Sequence, residues 1–183
     1  MPNRPSTLQT VALTLVASVI IVFALIIVVV RNGVLPANAD AEPGRLETWM
    51  AKSSLHATLA REANGLKSPL ALDDSTLAHG VRLYGAYCVT CHGSSDAKAS
   101  AIAKGLYQHA PQFADHDVTD DPIGVTYWKI THGIRLTGMP AFSSTLTDTQ
   151  RWQISSFLLR QDSLPPGAQA AWKALPSAVE HVE

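Results

Sequence analysis

The two cysteines of this chain stand in one short motif, Cys88-Val89-Thr90-Cys91-His92, which constrains the fold more than any other feature. The thiols are about one helical turn apart, so both can add to vinyl groups along one edge of a haem. The histidine that follows would then lie beneath the macrocycle, where its imidazole can bind the iron. The motif therefore predicts one haem c, held covalently by two thioethers at Cys88 and Cys91, with His92 as an iron ligand.

A Cys-x-x-Cys pair has two other common uses besides haem attachment, a zinc site and a redox-active disulfide. A zinc site usually has four protein ligands drawn from Cys and His, and the sequence contains no second cysteine pair. A redox-active disulfide is typical of a βαβ setting, and no such pattern is visible in the sequence. Haem attachment is therefore the preferred interpretation.

The surroundings of this motif resemble the class I cytochromes c. Gly80 and Tyr84 precede the first cysteine by eight and four residues, as a glycine and an aromatic residue do on the first helix of that family. Ile154 and Phe157 lie on a final amphipathic segment, similar to the family's apolar contacts on its last helix. The resemblance covers about residues 73 to 161 and implies an all-α fold, a small cytochrome c-like helical haem domain with crossing first and last helices.

The same resemblance indicates which residues surround the iron. Met139, between a glycine and Pro140, is similar to the family's distal methionine, and a thioether is a soft ligand that suits haem iron. His132 is the alternative sixth ligand. In the family, a proline in the loop after the motif lies beside the proximal histidine, and its carbonyl accepts the outer ring N–H. The resemblance gives this role to Pro111, beside His92.

Charge is distributed unevenly along the chain. All fifteen carboxylates lie at or after Asp40, so the larger part of the chain is mildly acidic. Nucleic-acid binding, which usually shows basic clustering, is not expected. Four aspartates and a histidine form an acidic loop, namely Asp115, His116, Asp117, Asp120 and Asp121. We interpret this loop as solvated, with docking of a basic partner as the alternative.

A run of twenty residues, Val11–Val30, is apolar except for Thr14 and Ser18. At about 1.5 Å per residue it would span roughly 30 Å, the hydrocarbon thickness of a bilayer. A cleaved signal peptide is the alternative, because Ala37-Asn38-Ala39 offers a suitable cleavage site. The apolar region of a signal peptide usually has about 7–15 residues, so the greater length favours a retained transmembrane helix in contact with membrane lipid.

Four parts of the chain are expected. They are a membrane anchor at 1–31 with its transmembrane helix at about 11–30, a linker and amphipathic helix at 32–72, the haem domain at 73–161, and a tail at 162–183. The helix from Arg45 to Ala63 is expected to pack on the haem domain or to lie at the membrane surface, with docking to a partner subunit as the alternative. The tail, with Trp172 near its centre, is expected to dock on a partner or to fray.

Two helix starts in the haem domain carry capping signals. Asp73 and Asp74 place carboxylates where the first helix should begin. Thr147 and Gln150 have the spacing of a capping box at the start of the last helix. Both signals predict where these helices begin without reference to the rest of the fold.

The sequence contains no acid–base pair, nucleophile constellation or phosphate loop, so an enzyme is not expected. The resemblance implies one-electron transfer between redox protein partners, such as those of a respiratory chain or a dehydrogenase. Cytochromes c receive their haem outside the cytoplasmic membrane, which implies a single-pass protein of a bacterial-type membrane with its haem domain on the periplasmic face. A fixed haem subunit of a membrane oxidoreductase complex is the alternative. A haem enzyme or gas sensor needs an open iron site, which Met139 disfavours.

Overall fold

The computed structural model describes residues 6–115 and 120–178. All regular secondary structure in those residues is helical, which confirms the all-α prediction. The elements are α1 (Thr7–Arg31), α2 (Arg45–Glu62), α3 (Asp74–Tyr87), α4 (Val89–His92), α5 (Ala101–Lys104), α6 (Ile123–His132), α7 (Asp148–Leu159) and α8 (Pro166–Lys173), with a 3-10 turn at Gln161–Ser163. His116 and Asp117 of the acidic loop lie outside the described residues. The chain forms two compact units, Met1–Ala41 and Glu42–Glu183.

The first unit contains α1, the long apolar helix. A capping box begins it, because the Ser6 side chain accepts from the backbone N–H of Gln9 while the Gln9 side chain accepts from that of Ser6. Its 25 residues are long and apolar enough to cross a membrane, and none of them is buried. These properties fit membrane anchoring, although a signal sequence near an N-terminus shares them.

The second unit is built around one main core, to which α3, α4, α6, α7 and α8 all contribute. The core residues are Val81, Tyr84, Val89, Ile130, Leu146, Ile154, Phe157, Leu158 and Trp172. The two helices that contribute most to it begin at the predicted caps. Asp73 accepts from the Thr76 N–H at 2.7 Å before α3, and Thr147 forms a capping box with Gln150 before α7.

The segment after α7 packs on the domain itself, which differs from both outcomes expected for the tail. Trp172 of α8 is only 8% exposed, and its ring centroid lies 5.5 Å from that of Tyr84 on α3. The Asp74 carboxylate accepts from the Ala168 N–H at 2.9 Å, so the start of α3 also caps the start of α8. An aromatic residue that completes the core and a cap from a distant helix together hold α8 in place.

Helix α2 divides its apolar stripe between two environments. Leu59 and Ala63 near its end form a second, smaller cluster with Val125 of α6. Leu46, Trp49 and Met50 near its start are exposed, at 68%, 64% and 56%. The expected apolar packing on the haem domain is therefore seen for the second half of the helix, while the first half is contacted there through Glu47. Two hydrogen bonds also hold α2. Trp128 Nε1 donates to the Glu62 carboxylate at 3.1 Å, and the Tyr107 hydroxyl donates to the Glu47 carboxylate at 2.6 Å.

Candidate functional site

Both cysteines lie on a single turn of helix. Cys88 caps the end of α3 and the start of α4, and its carbonyl accepts from the N–H groups of Cys91 and His92 at 3.1 and 2.9 Å. Gly93 ends the turn with φ +74°, a conformation that residues with a β-carbon adopt at a cost. Both thiols are free and half-buried. The local chain thus presents two thiols and an imidazole on one short, fixed element.

The electrostatic environment of the thiols differs from that of a redox dithiol. Burial, with a contribution from neighbouring Cys91, raises the pKa of the Cys88 thiol to about 12. Burial also raises the pKa of Cys91. A cysteine that attacks a disulfide usually has a lowered pKa, and neither thiol of this pair has one.

The imidazole of His92 is held at one nitrogen and available at the other. Its Nδ1 lies 2.9 Å from the carbonyl oxygen of Pro111. Burial lowers the pKa of His92, which favours the neutral ring, while the hydrogen bond to Pro111 opposes that shift. A neutral ring that donates from Nδ1 carries its lone pair on Nε2, the form that a metal ligand requires. The Pro111 carbonyl thus faces one ring nitrogen and leaves the other without a contact to it.

Met139 is presented by a tightly closed loop. Gly133, with φ +66°, ends α6, and a β-carbon there would lie 2.6 Å from the Met139 carbonyl oxygen. That oxygen accepts from the Ile134 N–H at 3.2 Å, and the Met139 N–H donates to the Thr137 hydroxyl at 3.1 Å. Thr137 donates in turn to the Ile134 carbonyl at 2.7 Å. The loop thus fixes the backbone on both sides of the methionine.

The main core is contacted by residues from each part of the predicted site. Cys88 and Met139 both pack against the main core, and Phe113 does so beside His92. His132 lies elsewhere: it is exposed, and its ring centroid is 4.8 Å from that of Trp128, which packs against the second cluster. Met139 is therefore better placed than His132 to share a site with the cysteine motif.

Two contacts at the site are not predicted by the sequence, one made by Tyr84 and one by Phe113. The buried hydroxyl of Tyr84 donates to the Gly93 carbonyl at 2.7 Å and so ties α3 to the end of the cysteine turn. The ring of Phe113 stacks on that of His92, with centroids 4.4 Å apart. An aromatic residue two positions after Pro111 was a visible signal, but nothing in the local sequence says which ring it would face.

The donor set fits haem c in its chemistry. Two thiols on one turn can form thioethers, His92 offers an imidazole nitrogen, and Met139 offers a thioether sulfur against the same apolar core. This combination of ligands is that of a six-coordinate c-type haem. An apolar surround with few polar groups is also what a haem requires to exclude solvent.

Comparison with known proteins agrees with this description. Residues 75–158 match the family model described as cytochrome c oxidase, cbb3-type, subunit III. The match covers a little less than half of the chain and includes the cysteine motif, Pro111 and Met139, while α1, α2 and α8 lie outside it. Neither the curated proteins nor the solved structures contain a match to the chain.

Proposed function

We propose that this chain, whose residues 75–158 match the cytochrome family model, is a c-type cytochrome that carries single electrons and is tethered to the outer face of a membrane. A domain of this family implies covalently bound haem c and haem-based electron transfer. When bound, haem c supplies the iron that exchanges single electrons, and the protein supplies its ligands and its low-dielectric surroundings.

The single observation that carries the proposal is the pairing of a held imidazole with a held thioether against one core. Cys88 and Cys91 would hold the haem through thioethers, and His92 would bind its iron through Nε2 while Nδ1–H donates to the Pro111 carbonyl. Met139, whose backbone is fixed by its loop, would supply a thioether sulfur as the second iron ligand. If His92 and Met139 both served as iron ligands, a bound haem would have no open position for substrate or gas, which favours electron transfer over catalysis.

The proposed tether is α1, whose length and apolar composition suffice to cross a membrane. Tethering would confine the domain near membrane-bound donors and acceptors and so raise its effective concentration there. Haem attachment outside the cytoplasmic membrane would place the domain on the periplasmic face. The expected partners are redox proteins that exchange electrons with an exposed haem edge.

A second function is favoured by one specific surface. Leu46, Trp49 and Met50 on α2 are exposed within the second unit, and Trp and Met are enriched in protein–protein interfaces. The matched family is described as an oxidase subunit. Membership of a membrane oxidoreductase complex is therefore the alternative to a free carrier. Purification of the full chain in mild detergent, followed by identification of co-purifying chains in stoichiometric amount, separates the two.

Covalent attachment is the first test of the proposal. Haem should stay with the polypeptide after denaturation and acid–acetone extraction, because a thioether survives conditions that break iron–ligand bonds. Replacement of both Cys88 and Cys91 by serine should release it. Haem that is extracted from the unaltered protein would overturn the proposed site.

The axial ligand is tested with a matched pair of methionine variants. The oxidised wild type should be low-spin with the weak near-infrared band of a sulfur–iron bond, and the reduced protein should bind little carbon monoxide. Met139→Ala should lose that band, lower the potential and admit carbon monoxide, whereas Met50→Ala, at an exposed methionine of α2, should leave all three unchanged. If Met139→Ala keeps the wild-type spectrum and potential, Met139 is not the ligand and His132→Ala is the next variant.

Membrane retention requires a separate measurement. If α1 is kept, the haem-stained protein should stay with the membrane fraction after a high-salt wash, and its N-terminus should precede α1. A mature chain that begins at Asp40 and appears in the soluble fraction would instead establish cleavage after Ala37-Asn38-Ala39.

A further inference from the structure

The segment from Pro111 to Phe113 holds His92 by three separate contacts. The Pro111 carbonyl faces Nδ1 at 2.9 Å, and the Phe113 N–H donates to the His92 carbonyl at 3.2 Å. The third contact is between the side chains: the rings of Phe113 and His92 have centroids 4.4 Å apart and an interplanar angle of only 4°. This short segment thus contacts the main chain, one ring nitrogen and one ring face of His92.

The hydrogen bond and the stacked ring restrict different motions. A hydrogen bond at Nδ1 fixes one point of the imidazole but leaves the ring free to tilt about that contact. The side-chain torsion that rotates a histidine ring has broad minima and sets the plane only weakly. A parallel aromatic face against the imidazole blocks rotation out of the plane. The two contacts together fix both the direction and the plane of the ring.

We propose that Phe113 is a positioning residue that sets the plane of the His92 imidazole and shields that ring from water. This inference rests on the proposed function, because it takes His92 as an iron ligand. Outer contacts that orient a metal-binding histidine tune the metal as well as the ligand. The orientation of the imidazole plane determines how its orbitals overlap with those of the iron, and so affects the magnetic anisotropy of the oxidised site.

Phe113 is itself fixed by the fold, as a positioning residue must be. Its carbonyl accepts from the Gln161 side chain at 3.0 Å, from the turn that follows α7. Its ring lies 6.2 Å from that of Tyr84, centroid to centroid, and packs at the edge of the main core. Phe113 is therefore held by Tyr84 of α3 and by Gln161 of the turn after α7.

The chain offers a control stack that does not touch the site. The rings of Tyr127 and Trp152 are also stacked, with centroids 3.8 Å apart and an interplanar angle of 11°. Tyr127→Leu therefore removes a stack of the same kind and lowers stability without a change next to His92. Phe113→Leu removes the aromatic face, Phe113→Met fills a similar volume with a flexible chain, and Phe113→Tyr keeps the face.

The test uses the full haem-loaded chain and compares electron paramagnetic resonance g values, shifts of the haem methyl resonances and reduction potential. Phe113→Leu and Phe113→Met should change the g values and the spread of methyl shifts. Both should also lower the potential, because water near the imidazole favours the more highly charged oxidised iron. Phe113→Tyr should restore the wild-type pattern, and Tyr127→Leu should alter the midpoint of unfolding alone.

A different outcome would overturn the proposed role of Phe113. If Phe113→Leu or Phe113→Met lowers stability but keeps wild-type g values, methyl shifts and potential, Phe113 supports the fold and does not position the ligand. Failure of the proposed function would look different. It would appear in the unaltered protein, as extractable haem or as a spectrum without histidine and methionine ligation.

Discussion

The α-carbon of Gly80 lies directly against the main-chain carbonyl of Gln153, so that no side chain separates α3 from α7. A β-carbon built at Gly80 would lie 2.8 Å from both the carbonyl carbon of Gln153 and the β-carbon of Phe157, and closer still to the Gln153 oxygen. The two helices therefore cross at a distance that only glycine permits. A glycine inside a helix costs about 1 kcal/mol relative to alanine, and this close crossing offsets that cost.

Gly80→Ala should destabilise the haem domain by about 1–3 kcal/mol, since the backbone of α7 cannot move aside as a side chain could. Guanidinium unfolding followed by circular dichroism measures this difference. Gly85→Ala on the same helix is the control, because its β-carbon would meet the end of the flexible Leu175 side chain at 2.6 Å. Equal stability of the two variants would show that the crossing is looser than described.

Tyr84→Phe should cost about 1–3 kcal/mol, because it leaves the Gly93 carbonyl without its buried donor at 2.7 Å. Burial raises the pKa of Tyr84 strongly, so its hydroxyl keeps the proton that it donates. Tyr87→Phe, at a tyrosine that is 43% exposed, should change the unfolding free energy by less than about 0.5 kcal/mol. A pair of urea titrations compares the variants, and a similar small effect at both positions would contradict the assigned hydrogen bond.

Trp172→Ala should destabilise the domain by about 3–5 kcal/mol, as expected for loss of a large core aromatic. Its ring lies within 5.5 Å of Tyr84 and 5.2 Å of Phe157, measured between centroids. Lys173→Ala, at the exposed neighbouring position, is the control. Thermal unfolding gives the comparison, and amide hydrogen exchange should show weaker protection of α3 in the tryptophan variant. Unchanged protection would mean that α8 is dispensable for the core.

Asp96 should make stability depend on pH in the acid range. A hydrogen bond from the Ser177 side chain, with further contributions from the Lys98 N–H at 3.2 Å and the Ser94 hydroxyl at 2.9 Å, lowers the pKa of this carboxyl from 3.8. A lowered pKa means that the unfolded chain binds the proton more readily. The stabilisation is therefore complete above about pH 4 and is lost as the pH falls through the lower folded value.

The measurement is the unfolding midpoint between pH 7 and pH 3 for the wild type, Asp96→Asn and Ser177→Ala. Asp96→Asn should remove this part of the acid dependence, and Ser177→Ala should reduce it because it removes the largest cause of the shift. The effect should be small, since solvent screens an exposed carboxylate. If the unfolding midpoints of all three proteins fall equally between pH 7 and pH 3, Asp96 does not contribute to the pH dependence of stability.

The sequence alone determined those features that depend on neighbouring residues. The spacing of Cys88, Cys91 and His92 places two thiols and an imidazole on one turn whatever the rest of the chain does, because helix geometry fixes it. The caps at Asp73 and Thr147 were predictable for the same reason, since a cap involves residues within the first turn. The all-α class followed from these local signals and from the resemblance around the motif.

Only the tertiary structure decided the contacts between distant parts of the chain. The stacking of Phe113 on His92, the burial of Trp172 against Tyr84 and the exposure of Trp49 each depend on which helices share a face. An apolar stripe shows that a helix has a face to bury but does not name its partner, and the first half of α2 has none among the described residues of its unit. Partner choice arises from the packing of the whole core, where shape and volume are decided by many side chains together.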